Sequence, residues 1–106
     1  MGIRGRKGFV GHDLRNRVAV ITGASSGIGR AAALAFAREG VRVVLGARRA
    51  DRLQETVEAI RSAGGEARSL QTDVTRPAEV TRLVREAVTA FGRLDILVNN
   101  AGLGYF

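Results

Sequence analysis

Cysteine and tryptophan are absent from this chain, and proline occurs once, at Pro77, and tyrosine once, at Tyr105. Without cysteine, disulfides and thiolate metal sites are excluded, and a reducing compartment, by default the cytoplasm, is the expected setting. No apolar run approaches the ~18 residues needed to span a bilayer, so no membrane partner is expected. No apolar core follows the basic amino-terminal residues, which excludes a secretory signal. Arg6 stands where a myristoylation site requires Ser or Thr. Acidic residues are also scarce at the amino terminus: Arg4, Arg6, Lys7, Arg15 and Arg17 face Asp13 alone.

What is present fits one ordinary globular domain or part of one. The chain has 106 residues, 45% hydrophobic and 25% charged, with a formal net charge of +7. Much of that charge lies between Met1 and Arg17, and residues 1–15 are read as a solvated, flexible basic leader. Nucleic acid is the less favoured partner for it, because no aromatic platform or basic helix accompanies the charge. The domain proper is expected over residues 16–106.

From Arg17 onward, short apolar runs alternate with stretches of helical period, the pattern of a parallel sheet covered by helices. Val18 to Ile21 is a continuous apolar run, as a strand buried on both faces requires. A first helix follows, with Ile28, Ala32, Ala35 and Phe36 on one face and Gly40 as its left-handed stop. Val41 to Leu45 is the second strand. Leu53, Val57 and Ile60 predict a second helix, with Asp51 as its cap and Gly64-Gly65 as its stop. Ala67 to Leu70 is the third strand. Val80, Leu83, Val84, Ala87, Val88 and Phe91 make the stripe of a third helix, opened near Thr75 and Pro77 and closed by Gly92. Leu94 to Val98 is the fourth strand. Right-handed crossovers then give an α/β, doubly wound parallel sheet of about four strands in the order 3-2-1-4, with three helices. The reversal of strand order creates a crevice at the carboxyl ends of the strands, where ligands bind in such folds.

The first strand meets the first helix through Thr22-Gly23-Ala24-Ser25-Ser26-Gly27-Ile28-Gly29. Gly23 permits a tight turn, Gly27 lets backbone approach a diphosphate, and Gly29 lets helix and strand pack closely. The helix amino end offers free N–H groups and partial positive charge to phosphates. Asp73-Val74 follows the third strand and Asn99-Asn100-Ala101-Gly102 the fourth. Taken from the residues alone, Asp73 also fits a turn cap, and the asparagines also fit loop backbone they would satisfy.

These three motifs, in this order and each at a strand end, resemble those of the short-chain dehydrogenase/reductase family, over about Leu14 to Phe106. The resemblance implies the amino-terminal, cofactor-binding half of a Rossmann-type domain. It implies that Thr22, Gly23, Ser25, Ser26, Gly27, Ile28 and Gly29 hold the diphosphate and adenosine ribose of a nicotinamide dinucleotide. It further implies that Asp73 faces the adenine amino group with Val74 against the ring, and that Asn99, Asn100, Ala101 and Gly102 line the floor beneath adenosine and brace the sheet. The family's reaction is hydride transfer between nicotinamide and a carbonyl/alcohol substrate, carried out by a complete enzyme that is commonly a homo-oligomer.

The end of the second strand bears on which cofactor is meant. An acidic residue there grips the ribose 2′-hydroxyl of NAD, whereas arginine accommodates the 2′-phosphate of NADP. Ala47 stands where the acid would be, and Arg48 and Arg49 follow. Guanidinium forks suit phosphate, so NADP is favoured over NAD. The other reading makes these arginines solvated charges opening the second helix, Arg49 more than Arg48.

The family's catalytic serine, its Y-x-x-x-K pair and a further asparagine cannot be assigned. Tyr105 is the only tyrosine, and Lys7, the only lysine, lies in the leader. The chain therefore reads as the cofactor-binding part of such an enzyme, the alternative being a non-catalytic module that binds a nucleotide or a partner. Residues 1–106 alone are expected not to oxidise NADPH with carbonyl compounds, followed by NADPH absorbance. Robust turnover abolished by Tyr105→Phe would overturn that expectation.

Overall fold

The computed structural model describes residues 14–25 and 27–100. Among them the elements run β1 (Val18–Thr22), α1 (Gly27–Arg38), β2 (Arg42–Ala47), α2 (Ala50–Ser62), β3 (Ala67–Gln71), α3 (Pro77–Phe91) and β4 (Ile96–Asn99). The strands form one parallel sheet in the order β3-β2-β1-β4, the expected topology. The leader through Asp13, together with Ser26, Ala101, Gly102 and Tyr105, lies outside the described residues. Leu14, expected in the leader, already packs against the core.

Strand alternation divides the core in two. Ala19 and Ile21 of β1, with Val43 and Leu45 of β2, face one side and pack with Ala33 of α1 and Leu53, Val57 and Ile60 of α2. Val18, Val20 and Val44 face the other side and pack with Leu83 and Ala87 of α3. Every residue of β1 is buried, which is why its sequence does not alternate. Burying each large aliphatic side chain stabilises the fold by about 1.5–3 kcal/mol.

Several boundaries and faces differ from the sequence reading. β2 extends to Ala47, and Gly46 within it meets α3, since a methyl there would lie 2.5 Å from Leu83 Cδ2. β4 runs from Ile96 to Asn99, one residue further than expected at its carboxyl end. The buried residues of α1 are Gly29 and Ala33, not Ile28 and Ala35, and Ile28 is 71% exposed. A glycine contributes nothing to an apolar stripe, so the periodicity could not reveal that it faces inward. The expected stripe on α3 is too broad: Leu83 and Ala87 are buried, whereas Val88 is 47% exposed. Leu97, in register with Val20 on the α3 side of the sheet, is 53% exposed.

Helix ends follow backbone chemistry more than side-chain caps. Asp51 is not the α2 cap; Arg49 occupies that position without a side-chain bond and instead chelates Asp51 at 2.9 and 3.1 Å. Pro77 opens α3 at its first turn, where its missing N–H costs nothing. Gly92 closes α3 at φ 82°, and Gly40 and Gly64 take the same left-handed region after α1 and α2.

At the amino ends of the strands, Asp95 ties β4 to β1. Its carboxylate accepts from the Val18 N–H at 2.9 Å and from Arg93 through two bonds of 2.8 Å, with Arg17 at 3.4 Å. The Arg93 fork, followed by the Val18 amide, lowers the Asp95 pKa to about 2. A lowered carboxylate pKa stabilises the fold above the unfolded-state value of ~3.9, and this contribution disappears as pH falls through about 2. Asp95→Asn should therefore lower the melting temperature at pH 7 and flatten its fall between pH 4 and pH 2. A parallel acid limb in the two proteins, recorded by circular dichroism, would show that Asp95 does not carry this linkage.

Candidate functional site

The carboxyl ends of β1, β2, β3 and β4 lie side by side, so the three motifs converge there. Gly23 leaves β1 at φ 65°, a conformation that side chains resist. The chain then turns so tightly that a methyl on Gly29 would overlap the Gly23 carbonyl oxygen and come within 2.9 Å of Ala24 Cα. The turn is held from the neighbouring strand by the Ala24 N–H, which donates to the Gly46 carbonyl at 3.3 Å. Gly27 is the opposite case: a methyl there would meet nothing within 4 Å. The first turn of α1 carries no acidic residue, so its positive end is left uncompensated. Open backbone at the amino end of a 12-residue helix fits a diphosphate. Ser25 is half-buried in the turn, and Ile28 stands exposed beside it.

The end of β4 braces this turn. The Thr22 hydroxyl donates to Asn99 Oδ1 at 2.9 Å, and the Asn100 side-chain amide donates to the Gly23 carbonyl at 3.4 Å. Asn100 is buried, and its bond to the Gly23 carbonyl fits the reading of the paired asparagines as satisfying loop backbone. Thr72 was missed; it is buried, its N–H donates to the Ala47 carbonyl, and its hydroxyl donates to the Leu70 carbonyl, both at 2.8 Å.

Asp73 makes a turn just after β3 and meets the β2–α2 loop. Its Oδ1 accepts from the Thr75 hydroxyl at 2.6 Å and the Thr75 N–H at 3.0 Å. The Arg48 guanidinium lies 3.5 Å from the same oxygen. The Thr75 bonds, more than the charge of Arg48, hold the Asp73 pKa below the ordinary carboxylate range. Val74 beside it is partly buried. The two arginines after β2 part ways: Arg49 is committed to Asp51, which raises the arginine and lowers the carboxylate pKa, while Arg48 reaches across to β3. Arg48 is 71% exposed at its side chain.

Among the described residues, no cluster of acidic or histidine side chains could hold a metal ion, and no helix is long and apolar enough to cross a membrane. A cavity of about 520 Å³ lies at the other end of the sheet, lined by Leu34, Ala37, Arg38, Gly64 and Glu66, and is separate from the glycine turn.

The family profile described as short chain dehydrogenase matches residues 17–106. The chain belongs to this family. An uncharacterized oxidoreductase of Bacillus subtilis is 48% identical over 90 residues, covering 85% of this chain and 33% of the relative. A short chain dehydrogenase/reductase of Burkholderia phymatum, solved in complex with NAD, is 41% identical with a TM-score of 0.77, covering 80% of this chain and 30% of that one. A variant of actinorhodin polyketide ketoreductase, solved with NADPH, is 42% identical with a TM-score of 0.75, covering 79% and 32%. The chain thus spans about a third of the length of the relatives it matches. Its Rossmann-type sheet is the one these relatives share.

The two glycines of the turn should separate in stability. Overpacking costs about 1–3 kcal/mol, and each kcal/mol moves a domain of this size by about 4–8 °C. Gly29→Ala should therefore lower the melting temperature by at least ~4 °C, whereas Gly27→Ala should leave it unchanged or slightly higher. Equal melting temperatures for both variants would contradict the close approach at Gly29.

Proposed function

We propose that this chain supplies the adenosine side of an NADP(H) site in an oxidoreductase that interconverts a carbonyl and an alcohol. The observation that carries the cofactor choice is the end of β2: Ala47 offers no carboxylate to a ribose 2′-hydroxyl, and Arg48 follows it with an exposed guanidinium beside the β3 end. A carboxylate at Ala47 would repel a 2′-phosphate, so its absence favours NADP(H) as much as the arginine does. The relatives solved with NAD and with NADPH support a nicotinamide cofactor in general.

In this reading the residues divide the cofactor among them. Backbone groups of Gly23, Ser25, Ser26, Gly27, Ile28 and Gly29, with the α1 amino end, hold the diphosphate. Thr22 and Asn99 keep the β1 and β4 ends in place beneath it, continued by Ala101 and Gly102 on the strength of their motif. Asp73 accepts from the adenine amino group and Val74 packs on the ring. Arg48 pairs with the 2′-phosphate, and Arg49, held by Asp51, adds positive charge at the α2 end. The bound cofactor supplies the hydride; the residues described here bind and orient it.

A charge-assisted contact of about 1.5–3 kcal/mol corresponds to roughly ten- to 150-fold in affinity. Arg48→Ala should weaken NADPH binding to the full-length protein by that factor and leave NADH nearly unchanged, as calorimetry would show. Equal losses for both dinucleotides would remove Arg48 from the reading of the 2′-phosphate.

A further inference from the structure

The loop that carries Arg48 has no regular structure of its own, yet its carbonyl is held. β3 ends at Gln71, which is in register with Ala47, the last residue of β2. The last backbone bond between the two strand ends runs from the Thr72 N–H to the Ala47 carbonyl at 2.8 Å, and beyond it the Gln71 side chain takes over: Nε2 donates to the Arg48 carbonyl at 3.0 Å. Two residues further along the same strand end, Asp73 meets the Arg48 guanidinium at 3.5 Å. Arg48 is therefore fixed at both ends by β3, its main chain by an amide and its side chain by a carboxylate. The guanidinium contact is exposed and weak, as pairs of this kind are. The main-chain contact restrains the side chain, because a held Arg48 carbonyl limits the peptide that leads from Arg48 to the start of α2 at Ala50. Gln71 itself is exposed and contributes nothing to the core, so its amide serves the loop.

We propose that Gln71 is a positioning residue for cofactor discrimination, holding the β2–α2 loop so that Arg48 stays at the carboxyl end of the sheet where a 2′-phosphate would lie. This rests on the NADP(H) reading above. Gln71→Met keeps the side-chain length and removes the donor. Losing one neutral hydrogen bond that orders the loop should weaken NADPH binding about three- to tenfold. NADH binding and the melting temperature should not change, so the NADPH-to-NADH affinity ratio falls with no loss of stability. In the Arg48→Ala background, Gln71→Met should have no further effect on that ratio, since nothing is left to position. Calorimetric titration of the full-length single and double variants with NADPH and NADH measures each term. A ratio unchanged by Gln71→Met, or an effect fully additive with Arg48→Ala, overturns the positioning role while Arg48→Ala still lowers the ratio. If Arg48→Ala leaves the ratio unchanged, the NADP(H) reading fails and this inference fails with it.

Discussion

The contact between Gly29 and the backbone of Gly23 and Ala24 sets the geometry on which the rest of the site depends. Because α1 begins in close contact with the backbone that follows β1, its amino terminus is held at the carboxyl end of a central strand. That contact decides which α1 residues face inward, Gly29 and Ala33, and which face out, Ile28 among them. It also leaves Gly27 with empty space above its Cα and the helix dipole pointing into that space. Open backbone at the amino end of α1 is thus a consequence of close packing at Gly29.

The sheet is pinned differently at its two ends. At the amino ends, charge does the work: Asp95 joins β1 and β4 through the Val18 amide and two arginines. At the carboxyl ends the links are neutral, from Asn99 to Thr22, from Asn100 to Gly23 and from Thr72 to Ala47. A carboxylate like Asp95 placed at the β1–β4 carboxyl end would oppose an anionic ligand, whereas amides and hydroxyls brace the turn without adding charge. The division keeps the short Asp95 ion pairs away from the glycine turn.

Topology was legible in the sequence because β1, β2 and β4 were apolar runs, β3 was a short stretch between two helical patterns, and every helix but the first carried a clear stripe. Where the reading failed, the deciding residue had no side chain or an ambiguous one. Gly29 is invisible to periodicity, so the α1 face was misplaced by one residue, and Gly46 concealed the length of β2. Asp51 looked like a cap because acidic residues favour helix starts, but Arg49 precedes it and captures its carboxylate. At the carboxyl ends of the strands, the glycine pattern, Asp73 and the arginine pair stood out in the sequence as residue types. Thr72 and Gln71 did not, since they act through backbone carbonyls that only the register of the parallel strands brings within reach.

The pairing of Arg48 with Asp73 looks at first like an obstacle to phosphate recognition, because it sets a carboxylate beside the expected anion. In water-like surroundings two unit charges 3.5 Å apart interact by only ~1 kcal/mol. A phosphate monoester carries about −1.5 to −2 charges near neutral pH, so it would compete well for the guanidinium. Asp73 would not be left without partners by that exchange. Thr75 donates to it twice, and Arg76 Nε lies 3.8 Å from its other oxygen, on the side of α3. Its carboxylate therefore stays ionised and oriented whether or not Arg48 remains, and its second oxygen is the one least occupied by short bonds. One acidic side chain can in this way hold an arginine in the free site and serve as a hydrogen-bond acceptor in the bound one, with the change of partner borne by the exposed, weakly held end of Arg48.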